Sequence, residues 1–191
     1  QRCASPLEIR SDSLIPILFL TAMFFLNFLA RIIFAPLMPA IEADLGISHS
    51  EAGSFFLLTS IGYFVTLLAS GIFSSRLLHR GTIILSALSV GVVLILTSFT
   101  REICGFRAGL LLLVMASGLY LPSGIATLTT LADAKHWGRT IAIHELAPNL
   151  GFVAAPLLSE MLLFLLSWRT ILAALGLFSI VLGLSYASGS L

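Results

Sequence analysis

The residues with most chemistry to offer are an arginine, an adjacent histidine–glutamate pair and a few amides and phenols, all set in apolar surroundings. Arg31 lies inside the stretch ILFLTAMFFLNFLARIIFAPLMP, residues 17–39. A charge in such a stretch costs at least ~2.5–3.5 kcal/mol on membrane-insertion scales, so something must compensate it. The planar fork of a guanidinium matches carboxylate or phosphate, which makes an anion site one reading of Arg31. The other is a paired or snorkelling arginine near the outer end of its segment. Asn27 is four residues earlier and shares its helix face. His144 and Glu145 are neighbours in sequence, so their side chains diverge and at most one faces a cavity squarely. They read as a proton-coupling pair or substrate contact, or else as a polar anchor bonded to Arg76 or Arg139. Asn149 lies one turn past Glu145 on the same face. Tyr63 and Tyr120 are candidate substrate contacts or ordinary buried aromatics.

These groups need elements to hold them, and the chain has six long apolar stretches, roughly 14–39, 53–75, 82–99, 106–132, 140–167 and 170–187. Each matches or approaches the ~20 residues a helix needs to cross a bilayer core. Of the 191 residues, 58% are hydrophobic and 10% charged, against about 25% charged in ordinary globular domains. The expected class is an all-α, multi-pass membrane protein with the lipid bilayer as its solvent. The expected organisation is an amino-terminal segment 1–13, a six-span domain 14–187 and a short tail 188–191. A net charge of +1 gives no reason to expect nucleic acid, and two cysteines make no disulfide framework.

Orientation follows from the basic residues. Arg2, Arg10, Arg76, Arg80, Lys135 and Arg139 fall on one side, and Arg101, Arg107 and Arg169 on the other. The positive-inside rule then puts both termini in the cytoplasm, in the plasma membrane or a bacterial inner membrane. The stretches at 82–99 and 170–187 carry no charge, whereas the other four hold the polar groups named above. Polar residues in membranes face a bundle interior or a water-filled cavity. Spans 1, 2, 4 and 5 are therefore expected to line something, with spans 3 and 6 packed behind. Small residues at Gly62, Gly71, Gly118, Gly124, Gly151 and Ala155 suit close helix approach.

Enzyme readings find little support. Pro122-Ser123-Gly124 has a superficial likeness to the serine of six-span rhomboid proteases, but span 6 holds no histidine. His144-Glu145 would need a second histidine at position 148 for a zinc protease, and that residue is proline. No cofactor motif is present, and no enzymatic activity is expected.

The pattern resembles the amino-terminal half of a major facilitator superfamily transporter over about residues 14–187. Pro39-Ala-Ile-Glu-Ala-Asp44-Leu-Gly46-Ile-Ser48 resembles that family's link between spans 1 and 2. Gly71, Arg76 and Arg80 match the loop Gly-x-x-x-Asp-Arg-x-Gly-Arg-Arg, with Ser75 for its aspartate and Leu78 for its second glycine. Gly151-Phe-Val-Ala-Ala155-Pro156 is similar to the family's span 5 signature, and Gly118 falls at its span 4 glycine, with Val114 where an arginine is frequent.

The resemblance implies six helices as two three-helix repeats, and secondary active transport of a small solute by alternating access. An arginine in span 1 of organic-anion members implies such an anion here, held by Arg31 with Asn27, Asn149, Tyr120 and Tyr63. Coupling to H+ or Na+ would use Glu145 or His144, and Gly71, Arg76 and Arg80 would form the gating loop. The missing loop aspartate and span 4 arginine put that gate and an antiporter-type relay in doubt. The chain begins at Gln1 rather than Met and supplies one half, so a second six-helix half or another copy is the expected partner. The rival expectation is a non-transporting half that acts as an assembly or scaffold partner.

Overall fold

In a computed structural model, residues 11–189 are described, apart from the side chains of 11–13 and 73–77. Most of the segment 1–13, with Arg2 and Arg10, and the end of the tail lie outside the described residues. No strand occurs among the described residues. Six helical segments are long and apolar enough to cross a bilayer: Leu14–Leu45, His49–Ile72, Leu78–Ser98, Ile103–Leu131, Ala134–Leu163 and Trp168–Ala187. In lipid only such internally bonded segments satisfy every backbone group.

Three of the six spans are broken, each by the same cause. Span 1 is α1 (Ser11–Ile32) and α2 (Phe34–Leu45); span 4 is α4 (Ile103–Gly118) and α5 (Tyr120–Leu131). Span 5 is a short 3-10 turn followed by α6 (Trp137–His144) and α7 (Leu146–Leu163). The first helix of each pair ends four residues before a proline: Ile32 before Pro36, Gly118 before Pro122, His144 before Pro148. Proline has no N–H for that carbonyl, and its ring crowds it. Spans 2 and 3 form one element, α3 (His49–Ser98), and span 6 is α8 (Trp168–Ala187).

The loops have local causes. Gly46 ends span 1 in the left-handed region, φ 66°, where glycine carries no Cβ penalty. Span 2 then starts on a capping box: the Glu51 amide donates to Ser48 Oγ at 3.3 Å, and the Ser48 amide to the Glu51 carboxylate at 3.0 Å. Span 6 starts likewise on Ser167, which accepts from the Thr170 amide at 3.2 Å. Pro39 does not end span 1, as its position suggested. It sits inside α2, which runs on to Leu45. Arg31 is therefore close to the middle of its span rather than towards one end.

Leu78 bends α3 between spans 2 and 3 with φ 59° and ψ 158°, a conformation that is nearly confined to glycine. It occupies the position of the family's second loop glycine, so the backbone keeps a shape that the side chain opposes. Such strain costs on the order of 1–3 kcal/mol. Leu78 is also 76% exposed, so little packing is lost with its side chain. Leu78→Gly is expected to stabilise the protein by about 1 kcal/mol, after the entropy that glycine loses on folding. Thermal unfolding in detergent checks this, and a lower midpoint would contradict it.

The core has two parts. One, at the Asp44 end, gathers Phe34, Phe55, Phe106 and Trp168, with Phe106 5.5–6.0 Å from the other three rings. The other, at the Leu78 end, gathers Ile17, Leu20, Phe24, Ile83, Tyr120 and Leu128. A buried polar layer lies between them: Asn27 donates to Ser86 Oγ at 3.2 Å, and Ser86 donates to the Ala116 carbonyl at 2.7 Å. Ala116 is in the last turn of α4, where carbonyls lack helical partners. Spans 3 and 6 meet most tightly at Gly91 and Gly176, a pair the choice of small residues above did not include.

At the Asp44 end the guanidinium of Arg169 joins three loops. It pairs with the Asp44 carboxylate and donates to the Thr100 carbonyl at 2.8 Å, and the Trp168 indole N–H also reaches Asp44, at 3.2 Å. Asp44→Ala should lower stability by about 1 kcal/mol, as expected for a half-exposed ion pair with its hydrogen bonds. The loss should shrink in high salt. Denaturation midpoints at two ionic strengths test it; a salt-independent difference would exclude the ion pair as the cause.

Candidate functional site

A cavity of about 610 Å³ opens beside the break in span 1. Spans 1, 2, 4 and 5 line it, through Arg31, Ala35 and Pro36, Thr59, Ser60 and Tyr63, Val114, and Phe152 and Pro156. Its size is within the range of small-molecule sites, roughly 300–1,000 Å³. The spacing of Phe56, Thr59, Ser60 and Tyr63 on span 2 is i, i+3, i+4, i+7, one face of a helix.

Among the described residues, Arg31 is the one charged group on this wall. Its guanidinium carbon lies 4.0 Å from the ring centre of Tyr63 and 5.0 Å from that of Phe28. Ring faces attract cations, by about 0.5–2 kcal/mol. The last turn of α1, where Arg31 sits, adds the negative end of a helix dipole. Among the described residues no carboxylate pairs with Arg31, and its Nε is buried without a hydrogen-bond partner. From mid-span a snorkelling side chain has no nearby interface to reach, so the rings and the dipole are what offset the charge. Val114 also lines the cavity, apolar at the span 4 position where the resemblance noted above would have an arginine.

The other expected contacts lie elsewhere. Asn27 is buried, and its amide is engaged by Ser86. Tyr120 is 1% exposed and donates to the Leu20 carbonyl at 2.7 Å. Asn149 is exposed about one turn before Phe152, outside the cavity lining, and donates to the Glu145 carbonyl at 2.9 Å. These three are not brought to the cavity; only Arg31 and Tyr63 of the expected set line it. Thr59 and Ser60 were not anticipated, although their helical spacing with Tyr63 was readable. Their hydroxyls donate to the Phe56 carbonyl at 3.0 and 2.8 Å, which leaves the oxygens as acceptors.

His144 and Glu145 sit at the break of span 5. His144 Nδ1 is 3.4 Å from the Glu145 carboxylate, so the two side chains are in mutual contact. Of the loop residues, Arg80 donates to the Tyr186 and Ala187 carbonyls at 3.1 and 3.2 Å, which caps the end of α8. Gly71 lies exposed on span 2, and the side chain of Arg76 is outside the described residues.

Six membrane-crossing helices, four of them lining an open and largely apolar cavity, define a multi-pass membrane protein. The sequence profile of the Major Facilitator Superfamily matches residues 20–188, and the chain belongs to that family. Among solved structures, a bacterial homologue of the human lysosomal transporter Spinster, in an inward-facing and unoccupied conformation, superposes with a TM-score of 0.80 at 15% identity. The match covers 96% of this chain and 44% of that transporter, so the chain spans less than half its relative's length. Comparison with curated proteins returns no match.

Proposed function

We propose that the chain is one six-helix half of a secondary active transporter that moves a small organic anion by alternating access. The observation that carries this is Arg31: a mid-span guanidinium with no carboxylate partner among the described residues, on the wall of an open cavity. A carboxylate or phosphate group would accept from the guanidinium, while Thr59, Ser60 and Tyr63 receive the polar remainder and Phe152 and Pro156 the apolar part.

The second half, or another copy, would cover the faces of spans 2 and 5. Both expose rows of large apolar side chains, Phe56, Leu57, Ile61, Phe64 and Leu68 on one and Leu150, Val153, Leu157 and Met161 on the other. Asn149 would meet that partner. In this reading the termini are cytoplasmic, the membrane is a plasma membrane, and a proton or sodium ion drives uptake, with Glu145 and His144 as the proton carriers. Arg76 and Arg80 would border the gate.

The test is uptake of labelled organic anions into proteoliposomes by the chain, by its Arg31→Ala variant and by a parent with a second half fused on. Saturable uptake lost in the variant supports the reading. Uptake by the fused parent alone supports the half-transporter form of it. No uptake from either would favour a scaffold role.

A further inference from the structure

We propose that His144, Glu145 and Tyr120 form a one-proton site whose occupancy decides whether Tyr120 holds the Leu20 carbonyl of span 1. The proposal deepens the proton-coupled reading above and rests on it for its purpose, though not for its geometry. His144 is fully buried at the end of α6, where Pro148 breaks the helix. Its ring is nearly parallel to those of Phe24 and Tyr120, with centres 4.4 and 5.9 Å away. Three spans, 1, 4 and 5, thus meet in one stack.

Counting protons shows the consequence. The phenol of Tyr120 has one proton and two acceptors within reach, Leu20 O at 2.7 Å and His144 Nε2 at 3.3 Å. When Tyr120 donates to Leu20, Nε2 must itself carry a proton to complete the second contact. His144 Nδ1 then faces the Glu145 carboxylate at 3.4 Å. That contact is a hydrogen bond only if the pair holds a further proton, as imidazolium with carboxylate or imidazole with carboxylic acid. When the pair loses one proton, the neutral tautomer that carries the other on Nδ1 restores the bond to the Glu145 carboxylate, and in that tautomer Nε2 is an acceptor. Tyr120 then turns its proton to Nε2 and releases Leu20. The release is cheap, because Leu20 O lies within α1 and keeps its helical bond.

The site has one open side. The Glu145 side chain is 44% exposed, while His144 and Tyr120 are sealed. Among the described residues, Arg139 lies on α6 itself, five residues before His144. Span 6 presents Tyr186, with Arg80 5.7 Å from its ring centre, and His79 reaches Ser123, on the helix of Tyr120, at 3.5 Å. Between Leu14 and Phe24 span 1 presents no titratable group. Proton arrival from Glu145 is thereby converted into a grip on span 1, the helix that carries Arg31.

The test is 15N NMR of labelled histidine in the full chain in phosphatidylcholine nanodiscs, together with the 13C shift of the Leu20 carbonyl. His144→Gln identifies the resonance among the four histidines. Between about pH 5 and 8, where histidines titrate, His144 is expected to pass from imidazolium to the Nδ1–H tautomer, and the Leu20 carbonyl to lose its phenol bond in step. Tyr120→Phe should shift neutral His144 towards Nε2–H and make the Leu20 shift independent of pH. Glu145→Gln should move the midpoint of the titration. A His144 that keeps one state across the range, or a tautomer unchanged by Tyr120→Phe, would overturn the proposal. Binding of labelled anions to the same nanodiscs reports on Arg31 separately, so either reading can fail alone.

Discussion

An Arg31→Leu chain is expected to be slightly more stable than its parent and to bind organic anions about 100-fold more weakly. The two expectations have one origin. Without an anion, and among the described residues, the guanidinium is held by the Tyr63 and Phe28 side chains and the end of α1. Those contacts offset part of an insertion cost of ~2.5–3.5 kcal/mol, with cation–π energies reaching only about 2 kcal/mol. Leucine removes both the cost and the offset, for a gain of roughly 1 kcal/mol. With an anion bound, two charge-assisted hydrogen bonds of about 1.5–3 kcal/mol each are lost, and each 1.4 kcal/mol is tenfold in affinity. Arg31→Lys keeps the charge but not the planar fork, and about a tenfold loss is expected. Thermal unfolding and binding titrations on the three chains decide it. A structural arginine would behave oppositely: Arg31→Leu would melt lower, and lysine would largely restore stability.

Gly176→Val is expected to abolish the folded bundle. A Cβ at Gly176 would stand 2.6 Å from the Gly91 carbonyl oxygen, and one at Gly91 would stand 2.6 Å from the Gly176 oxygen. Both obstacles are backbone, so no rotamer relieves them. Spans 3 and 6 would have to separate along a seam that also includes the Ser179 hydroxyl bond to the Ala87 carbonyl at 2.8 Å. Overpacking a tight core commonly costs about 1–3 kcal/mol, and the γ-methyls of valine, added to a Cβ already against the facing backbone, should exceed that. Gly176→Ala should fall within that range. The neighbouring Leu177 is 59% exposed, so Leu177→Val should be neutral to within about 0.5 kcal/mol. Recovery of monodisperse protein after detergent extraction measures all three. Normal recovery of the valine chain would show that the crossing is looser than described.

The spans were legible because hydropathy is local: a stretch of apolar residues long enough to cross lipid reads the same in any fold. The facing ends of spans 1 and 2 were read short, at 39 and 53, although Gly46 and Ser48, which set them, act through their own backbone and nearest neighbours. Pro39 misled because a proline can sit inside a helix whose neighbours absorb the lost bond. Pro36 and Pro122, which do mark breaks, carried no mark in the sequence that set them apart from it. The seam at Gly91 and Gly176 was not singled out because small residues occur throughout membrane helices, and only the facing helix shows which of them meet.

The sequence by itself determined that this is a six-span membrane protein of the Major Facilitator Superfamily, and that a charge at Arg31 needed an explanation. Only the tertiary structure decided which polar groups share a cavity. Arg31 and Tyr63 meet across two spans, while Asn27, Tyr120 and Asn149 find partners elsewhere. The reason is partly depth, since Asn27 shares the face of Arg31 but lies one turn away along α1, and partly rotation. Each residue turns a helix face by about 100°, so the direction of a side chain depends on the kinks beneath it and on packing against distant spans. Neither is encoded within the length of one helix.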